Sequence, residues 1–576
     1  MKQHDIAALF QQMADLLELK GDNPFRIRAY RKAAQNLKSL TQDLEQLDRE
    51  DRLTDIPGIG NDLADKIHEY LAQGSIRALE KLQRAIPAGL VALLDVPSVG
   101  PKTAKVLYER LHIRSIKQLE AAARTHKLCK LPGFQETKEQ NILKGIAIVH
   151  RGQERMDLGL AWSLARTVID FLRALPEAKR VEPAGSLRRM KETIGDLDVL
   201  VASAKPAAVM RAFTTAPWCT RVLASGQTKS SILTAEGYQV DLRVVAPVAF
   251  GAAWQYFTGS KEHNVHLREL AVRKGLKLNE YGVFSNTGKR LGGREEEDMY
   301  RALGLPWIPP ELREDTGELE AARKGRLPTL VEAKDLRGDF HIHTNWSDGQ
   351  HTLEAVAEAG RGRGYEYLAI CDHSQSLNVA HGMSEARIKE QMAKVTALNA
   401  RLGRFQLLRG AEVDILSDGA MDYPNELLKQ LDFVIGSVHS NFRQSEATMT
   451  NRIIAAMRNP FVTLIAHPTG RLMGQREPYS VNLKTVFEAA ADTRTAMEIN
   501  AYPKRLDLND VSARQAQEQG VRLAISTDTH SLDQLDNIAI GLGVARRAWL
   551  EPKHLLNCLS RHDLLAWITH KRARAA

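Results

Sequence analysis

Residues 195–202 read Gly195-Asp196-Leu197-Asp198-Val199-Leu200-Val201-Ala202. The run of Leu, Val, Leu, Val and Ala predicts a buried β-strand. Two aspartates stand inside it, two residues apart. Strand side chains alternate, so Asp196 and Asp198 face the same way. Like charges at that spacing repel, and they lose hydration on burial. A bound cation is the simplest compensation. The stretch therefore reads as part of a metal site built on a sheet.

Its surroundings extend the reading. Upstream lies Gly185-Ser186-Leu187-Arg188-Arg189, and downstream lies Gln239-Val240-Asp241-Leu242-Arg243, with Asp241 in another apolar strand. Three strand carboxylates suit two Mg²⁺ ions, which prefer oxygen ligands. Two such ions ~3.5–4 Å apart activate an attacking oxygen and stabilise a leaving one. A Gly-Ser turn with a nearby arginine suits the β- and γ-phosphates of a nucleotide. Tyr256-Phe257-Thr258-Gly259-Ser260 follows. In this order and spacing the pieces resemble the palm of the family X DNA polymerases. The resemblance implies that Asp196 and Asp198 bind two Mg²⁺ or Mn²⁺ ions, and that Asp241 helps activate the primer 3′-OH. Ser186 and Arg189 would hold the triphosphate, and Tyr256, Phe257 and Gly259 would line the sugar pocket. Asn264 falls at the family's base-edge contact and Arg268 at its template contact. Lys261 stands where some members are acidic, which bears on nucleotide affinity. A structural acidic patch is the plain alternative.

Residues 1 to about 150 read as short helices broken by Gly-Pro turns. One pattern recurs: Ile56-Pro57-Gly58-Ile59-Gly60, Val96-Pro97-Ser98-Val99-Gly100 and Leu131-Pro132-Gly133-Phe134, each followed by a helix. A glycine-rich turn feeding a helix start exposes N–H groups that bind phosphate without reading bases. The copies resemble the helix-hairpin-helix motif of DNA-repair proteins, which makes Gly58, Gly60 and Gly100 DNA contacts. Ser98 and Gln135 replace glycines usual in the second and third copies. Ordinary helix-helix turns are the alternative. Phe25–Lys32 reads as a basic helix with interleaved aromatics. Its resemblance to the family's small DNA-end-binding domain points to Arg26 and Tyr30 as 5′-phosphate contacts. Lys66 occupies the position of the family's Schiff-base lysine, which removes a 5′-deoxyribose phosphate once desolvated. A second lysine of that cluster is Asp62 here. That favours Lys66 as a surface or DNA-phosphate-contacting charge.

From Gly338 onward short apolar strands (YLAIC, FQLLRG, DFVIGS, VTLIAH, AMEIN, VRLAIS) alternate with helical stretches. Such βα alternation predicts a barrel-like domain. His341 and His343 are spaced for one strand face. Polar strand endings then follow at Asp348, His373, Glu412, His439, His467, Asp528 and His530. Barrel strand ends converge on one rim. Six imidazoles and three carboxylates there suit about three metals, and mixed N/O ligation suits Mn²⁺, Zn²⁺ or Fe²⁺. The pattern resembles the polymerase and histidinol phosphatase (PHP) domain, a metal-dependent phosphoesterase, with all nine ligand positions present. Arg505 and His381 are read as phosphate contacts or solvated side chains. An inert scaffold is the alternative for the whole domain.

The chain has 576 residues, 43% hydrophobic and 26% charged, too long for one core and too apolar for disorder. No apolar run reaches the ~20 residues of a membrane span, and the acidic amphipathic start is not a signal peptide. Four scattered cysteines without CxxC spacing fit a reducing, cytoplasmic setting. The net charge of +9 suits a polyanion.

The expected organisation is multidomain. Helical end-binding (1–85) and helix-hairpin-helix (86–152) domains precede an α/β nucleotidyltransferase palm (153–245). A small α/β thumb (246–312) and a charged linker (313–337), extended or folded back, lead to a distorted (β/α)7-type PHP barrel (338–576). By resemblance the chain is an enzyme that uses dNTPs to fill gapped or nicked DNA in repair, and a monomer is the default where the sequence carries no sign of oligomeric state. The barrel supplies 3′→5′ exonuclease activity, with 3′-phosphatase or abasic-site endonuclease activity besides. A nuclease whose polymerase half only grips DNA ends, or a non-catalytic repair scaffold, are the rivals.

Overall fold

The computed structural model describes residues 2–39, 44–56, 58–73, 75–85, 99–131, 138–143 and 155–574, with Leu90, Leu93, Val96 and Ile146 between them. The chain forms two compact units, 1–154 and 155–576.

The first unit is helical. Its described helices include Lys2–Lys20, Pro24–Ser39, Asn61–Gln73, Pro101–Leu111 and Ile116–Arg124. Phe10, Met13, Tyr30, Leu37, Ile56 and Ile67 share one core with Leu107 and Leu119. Gly58, at φ +80°, adopts a turn that L side chains resist, and Gly100 precedes the helix whose first residue is Pro101. Pro57, Pro97, Ser98 and the third hairpin at 132–137, Gln135 included, lie outside the described residues.

The second unit begins with the pair β1 (Met156–Asp157) and β3 (Thr193–Ile194). Beside it lies a five-stranded sheet of β2 (Arg180–Pro183), β4 (Leu197–Ala202), β5 (Arg221–Ser225), β6 (Lys229–Leu233) and β7 (Gln239–Val245), in the order β2-β4-β7-β6-β5. Only β4 and β7 run parallel, and their register sets Asp198 against Asp241. Leu197, Val199 and Val201 pack into a core shared with helix Leu158–Arg173. Leu200 and Ala202 pack against Phe250 and Ala253 on the other face. Both faces are thus covered, which is why β4 is apolar at nearly every position. Asp196 falls in a bend just before β4, not inside it as expected.

Helices Phe250–Thr258 and Lys261–Arg273 lead into a small antiparallel sheet of β8 (Leu276–Asn279), β9 (Gly282–Ser285) and β10 (Arg290–Gly292). The charged stretch that follows is folded and packed. Arg313 is fully buried and donates to Glu296 at 2.6 Å. Glu318, also buried, is paired with His263 at 2.6 Å. Further on, Val331 N–H bonds the Leu550 carbonyl and Arg337 N–H the Asn557 carbonyl. Of the two forms open to the linker, the structure shows the folded-back one. Arg313 and Glu318 find their partners on the preceding helices, whereas Glu320, Arg323, Lys324 and Arg326 stay exposed.

The remaining strands are β11 (Gly338–Ile342), β12 (Tyr367–Ile370), β13 (Gln406–Asp414), β14 (Phe433–Ser437), β15 (Leu464–Ile465), β16 (Ala496–Asn500) and β17 (Leu523–Ser526). All pair in parallel, in sequence order. Backbone bonds between His341, His343 and Thr529 nearly close the ring. Barrel and palm share one hydrophobic core.

Candidate active sites

The first site sits where β4 and β7 begin, beside the turn Gly185–Arg188. One carboxylate oxygen from each of Asp196, Asp198 and Asp241 lies within 4.8 Å of the others. Gly185 has φ +60°, and a Cβ there would lie 2.1 Å from Asp198 Oδ2, so only glycine lets the turn approach this strand. Burial, then repulsion from Asp196 and Asp241, pushes Asp198 up to about 7. Burial and Asp241 likewise raise Asp196. Lys229 Nζ at 3.1 Å and Gln239 Nε2 at 2.8 Å engage Asp241. Three converging, partly desolvated carboxylates are a donor set that fits hard divalent cations.

Around this cluster, Tyr256 and Phe257 pack edge to face and the Arg243 guanidinium stacks on Phe257. Arg189 donates to Glu314 at 3.0 Å and to the Thr258 carbonyl at 2.5 Å, beneath Gly259. Arg188, Arg313 and Trp307 all donate to Glu296 within 2.8 Å. Asn264 donates to the Tyr256 carbonyl and accepts from Gln255, both at 2.7 Å, so its side chain braces the turn from within. Ser186 and Arg268 are half-buried.

In the helical unit the expected DNA contacts separate. Arg26 is exposed, 3.5 Å from Asp22. Tyr30 is only 1% exposed, its ring against Phe10 and its hydroxyl buried, so it is a core residue and not the phosphate contact expected of it. It shares the apolar stripe of its helix with Ile27, Ala33 and Leu37, whereas the arginines occupy the other face. Lys66 is not a surface charge either. It is 9% exposed, with Nζ held by the Asp62 carboxylate at 2.6 Å and carbonyl at 2.9 Å. Gly60 and Gly100 are exposed.

The second site is the rim of the barrel. His341 and Glu412 lie in β11 and β13, and the other seven expected ligands follow the ends of β11, β12, β14, β15 and β17. Glu412 lies at the centre, 2.9 Å from His373 Nδ1, 3.0 Å from His467 Nε2, 3.2 Å from His341 Nε2 and 3.4 Å from His439 Nε2. Asp528 is 3.4 Å from His343 Nε2, and Asp348 is 3.3 Å from His530 and 3.5 Å from His373. Three groups of ligand atoms each fall within 4.8 Å: His343, Asp348, His373 and His530; His341, His343 and Glu412; His373, Glu412 and His439.

Electrostatics sharpen the picture. Against the cost of burial, Glu412 and Asp348 push His373 up to about 10. Burial, with His530 and His373, drives His343 down to about 3. Glu412 itself is held far below the usual range by His341 and His373, despite its burial. Nitrogens of His341, His343 and His373 and one oxygen of Glu412 are buried without a hydrogen bond. Such orphaned lone pairs, aimed at common points, fit metal ions.

Three supporting carboxylates escaped the sequence reading. Glu498 accepts from His341 Nδ1 at 2.8 Å, and Asp414 pairs with His439 Nδ1 at 2.6 Å. Asp372 accepts from Thr344, Ser347 and Gln391, fixing the loop that carries Asp348. Each is an acid in or beside an apolar strand, the same signal that Asp198 carries. Arg505 lies 3.2 Å from Asp528 with its Nη1 buried and unbonded, and His381 is exposed.

The fold and the two carboxylate-bearing sites define a nucleotidyltransferase joined to a PHP-type metal-dependent barrel. Family matches agree: helix-hairpin-helix domain at 1–76, SAM-like helix-hairpin-helix tandem at 90–147, DNA polymerase beta thumb at 253–314 and PHP domain at 339–501. The chain is 39% identical over 571 residues to the DNA polymerase/3′-5′ exonuclease PolX of Bacillus subtilis (strain 168), covering 99% of each protein. It is 26% identical to DNA polymerase lambda of Rattus norvegicus over 54% of this chain and 56% of the relative. It is 28% identical to a probable phosphatase of Thermoanaerobacter sp. (strain X514) over 38% of this chain and 89% of the relative. The chain belongs to the family X DNA polymerases that carry a carboxy-terminal PHP domain. Among the described residues, no helix is long and apolar enough to cross a membrane.

Proposed function

We propose that the chain extends primers across short gaps or nicks in DNA with dNTPs, and shortens 3′ ends at the barrel rim, as a monomeric cytoplasmic repair enzyme. The observation that carries the reading is the register setting Asp198 against Asp241, beside Gly185, in the same chain as the nine-residue rim. Asp196, Asp198 and Asp241 hold two Mg²⁺ or Mn²⁺ ions, and the rim holds about three of Mn²⁺, Zn²⁺ or Fe²⁺. When bound, these ions neutralise phosphate charge and activate the attacking oxygen. Asp241 orients the primer 3′-OH. Ser186 and Arg189 hold the triphosphate, and Tyr256, Phe257 and Gly259 shape the sugar pocket. Asn264 keeps that turn in place beside the base, and Arg268 meets the template strand. In the helical unit Arg26, Gly58, Gly60 and Gly100 grip the DNA backbone.

At the rim, the unbonded Arg505 Nη1 binds the phosphate of the 3′ end. The same site accommodates 3′-phosphatase and abasic-site endonuclease chemistry, which suits base excision repair or end joining.

The test is a one-nucleotide-gapped duplex with a labelled primer, in Mg²⁺ and in Mn²⁺. Asp196→Ala/Asp198→Ala loses extension alone and His341→Ala/His343→Ala loses shortening alone. Each loss reaches several orders of magnitude, because each ~1.4 kcal/mol of barrier is tenfold. Wild type that neither extends nor shortens overturns the reading in favour of a scaffold. Loss of shortening in both variants shows the polymerase half presenting DNA to the rim.

A further inference from the structure

The segment joining Arg189 to Asp196 is held by the barrel. Arg547, at the end of barrel helix Ile538–Arg547, is nearly buried. Its Nη1 donates to the Arg189 carbonyl at 2.8 Å and to Glu314 at 2.9 Å. Glu314 in turn accepts from the Arg189 guanidinium at 3.0 Å. Asp510, on a neighbouring barrel helix, fixes Arg547 from behind, 2.8 Å from Nε. One arginine of the barrel therefore touches both the backbone and the side-chain partner of the arginine read as binding the triphosphate.

Two more contacts hold the same segment. Met190, at φ +55°, packs on Gly543 of the Arg547 helix, where a Cβ would lie 2.4 Å from the Met190 methyl. Glu192 accepts from barrel residue Arg471 at 2.8 Å. The palm helix starts against the barrel as well, since a Cβ on Gly159 would lie 2.5 Å from Pro503. These are close-packed contacts, and close-packed interfaces transmit displacement.

We propose that Arg547 is a positioning residue for nucleotide binding: through Glu314 and the Arg189 carbonyl, the barrel sets the guanidinium that meets the incoming triphosphate. This rests on the reading of the palm as a nucleotide-binding site. Glu314 has Arg189 and Arg547 as its paired cations and Lys191 as a further positive charge, and their pull holds its carboxyl below the usual range despite burial. Without Arg547, Arg189 is the one cation still bonded to Glu314, and the Arg189 backbone carbonyl loses its donor. Arg189 then rests against Glu314 and is less free to meet a phosphate.

The experiment is steady-state extension on a gapped primer with full-length Arg547→Ala, Arg547→Lys and Glu314→Gln proteins and the Arg547→Ala/Glu314→Gln double variant. The 3′ shortening of single-stranded DNA is measured alongside. The expected result for Arg547→Ala is a dNTP KM raised about tenfold with kcat changed far less, the pattern of lost ground-state binding. Shortening stays at the wild-type rate, Arg547→Lys partly restores KM, and the double variant is less than additive. The proposal is overturned by unchanged KM, by additive effects, or by extension and shortening falling together. Wild type that does not extend overturns the polymerase reading itself, so the two failures are distinct.

Discussion

Glu498 offers the sharpest test of how the barrel builds its metal site. It is fully buried in β16, and three donors converge on its two oxygens: His341 Nδ1 at 2.8 Å, the His467 backbone N–H at 2.6 Å and Asn500 Nδ2 at 3.1 Å. Glutamine has almost the same shape but offers one oxygen and one NH₂. Its NH₂ must therefore meet a donor. Asn500 cannot easily turn, because its Nδ2 also bonds Asp528 at 3.1 Å and its Oδ1 accepts from Tyr502 at 3.0 Å. The soft partner is His341. Facing an NH₂, its Nδ1 becomes the acceptor and the proton moves to Nε2, the atom 3.2 Å from Glu412 that a metal needs bare. Losing a carboxylate behind a histidine ligand typically costs about 10–100-fold in metal affinity or activity. Glu498→Gln should therefore weaken Mn²⁺ binding and slow 3′ shortening by about that factor, with primer extension unchanged. Mn²⁺ competition with a chelating indicator and single-turnover shortening measure both. Wild-type affinity and rate in Glu498→Gln refute the tautomer argument.

Other expectations follow from the palm, thumb and helical unit. Asp198, raised to about 7, binds its proton more tightly folded than unfolded. The metal-free palm therefore loses stability as pH rises from the ordinary aspartate range through 7, while Mg²⁺ binding, which needs the ionised form, strengthens over the same window. Calorimetric titration at pH 6 in two buffers should show about one proton released on loading, and none released would contradict the assignment. Glu296→Ala leaves the buried Arg188 and Arg313 without their shared carboxylate and should cost about 3–5 kcal/mol in denaturant melts; under 1 kcal/mol would show that the cluster relaxes freely. Lys66, tied to Asp62 at 2.6 Å, should give no borohydride-trapped adduct with a 5′-deoxyribose-phosphate end. A Lys66-dependent adduct would show that substrate frees the amine.

The sequence by itself determined the architecture and most of the side chains that the palm and the barrel rim bring together. Short apolar strands, the βα alternation and the ordered motifs from Gly185 to Ser260 are local patterns. Ligands carried at strand ends must converge wherever the strands pair in parallel, so His341 through His530 were legible in one dimension. What needed the tertiary structure was every role set by a partner far along the chain. Tyr30 reads as a ligand contact among arginines, yet Phe10 takes its ring into the core. The charged stretch 313–337 reads equally as extended or folded back, and only Glu296 and His263, which take Arg313 and Glu318 into buried pairs, decide between the two. Glu498 looked like one residue of a strand until His341, 157 positions away, proved to lean on it. Arg547 meets Arg189 across 358 positions. Periodicity records which side of an element faces inward. It does not record which charge waits there, because that depends on how distant elements pack.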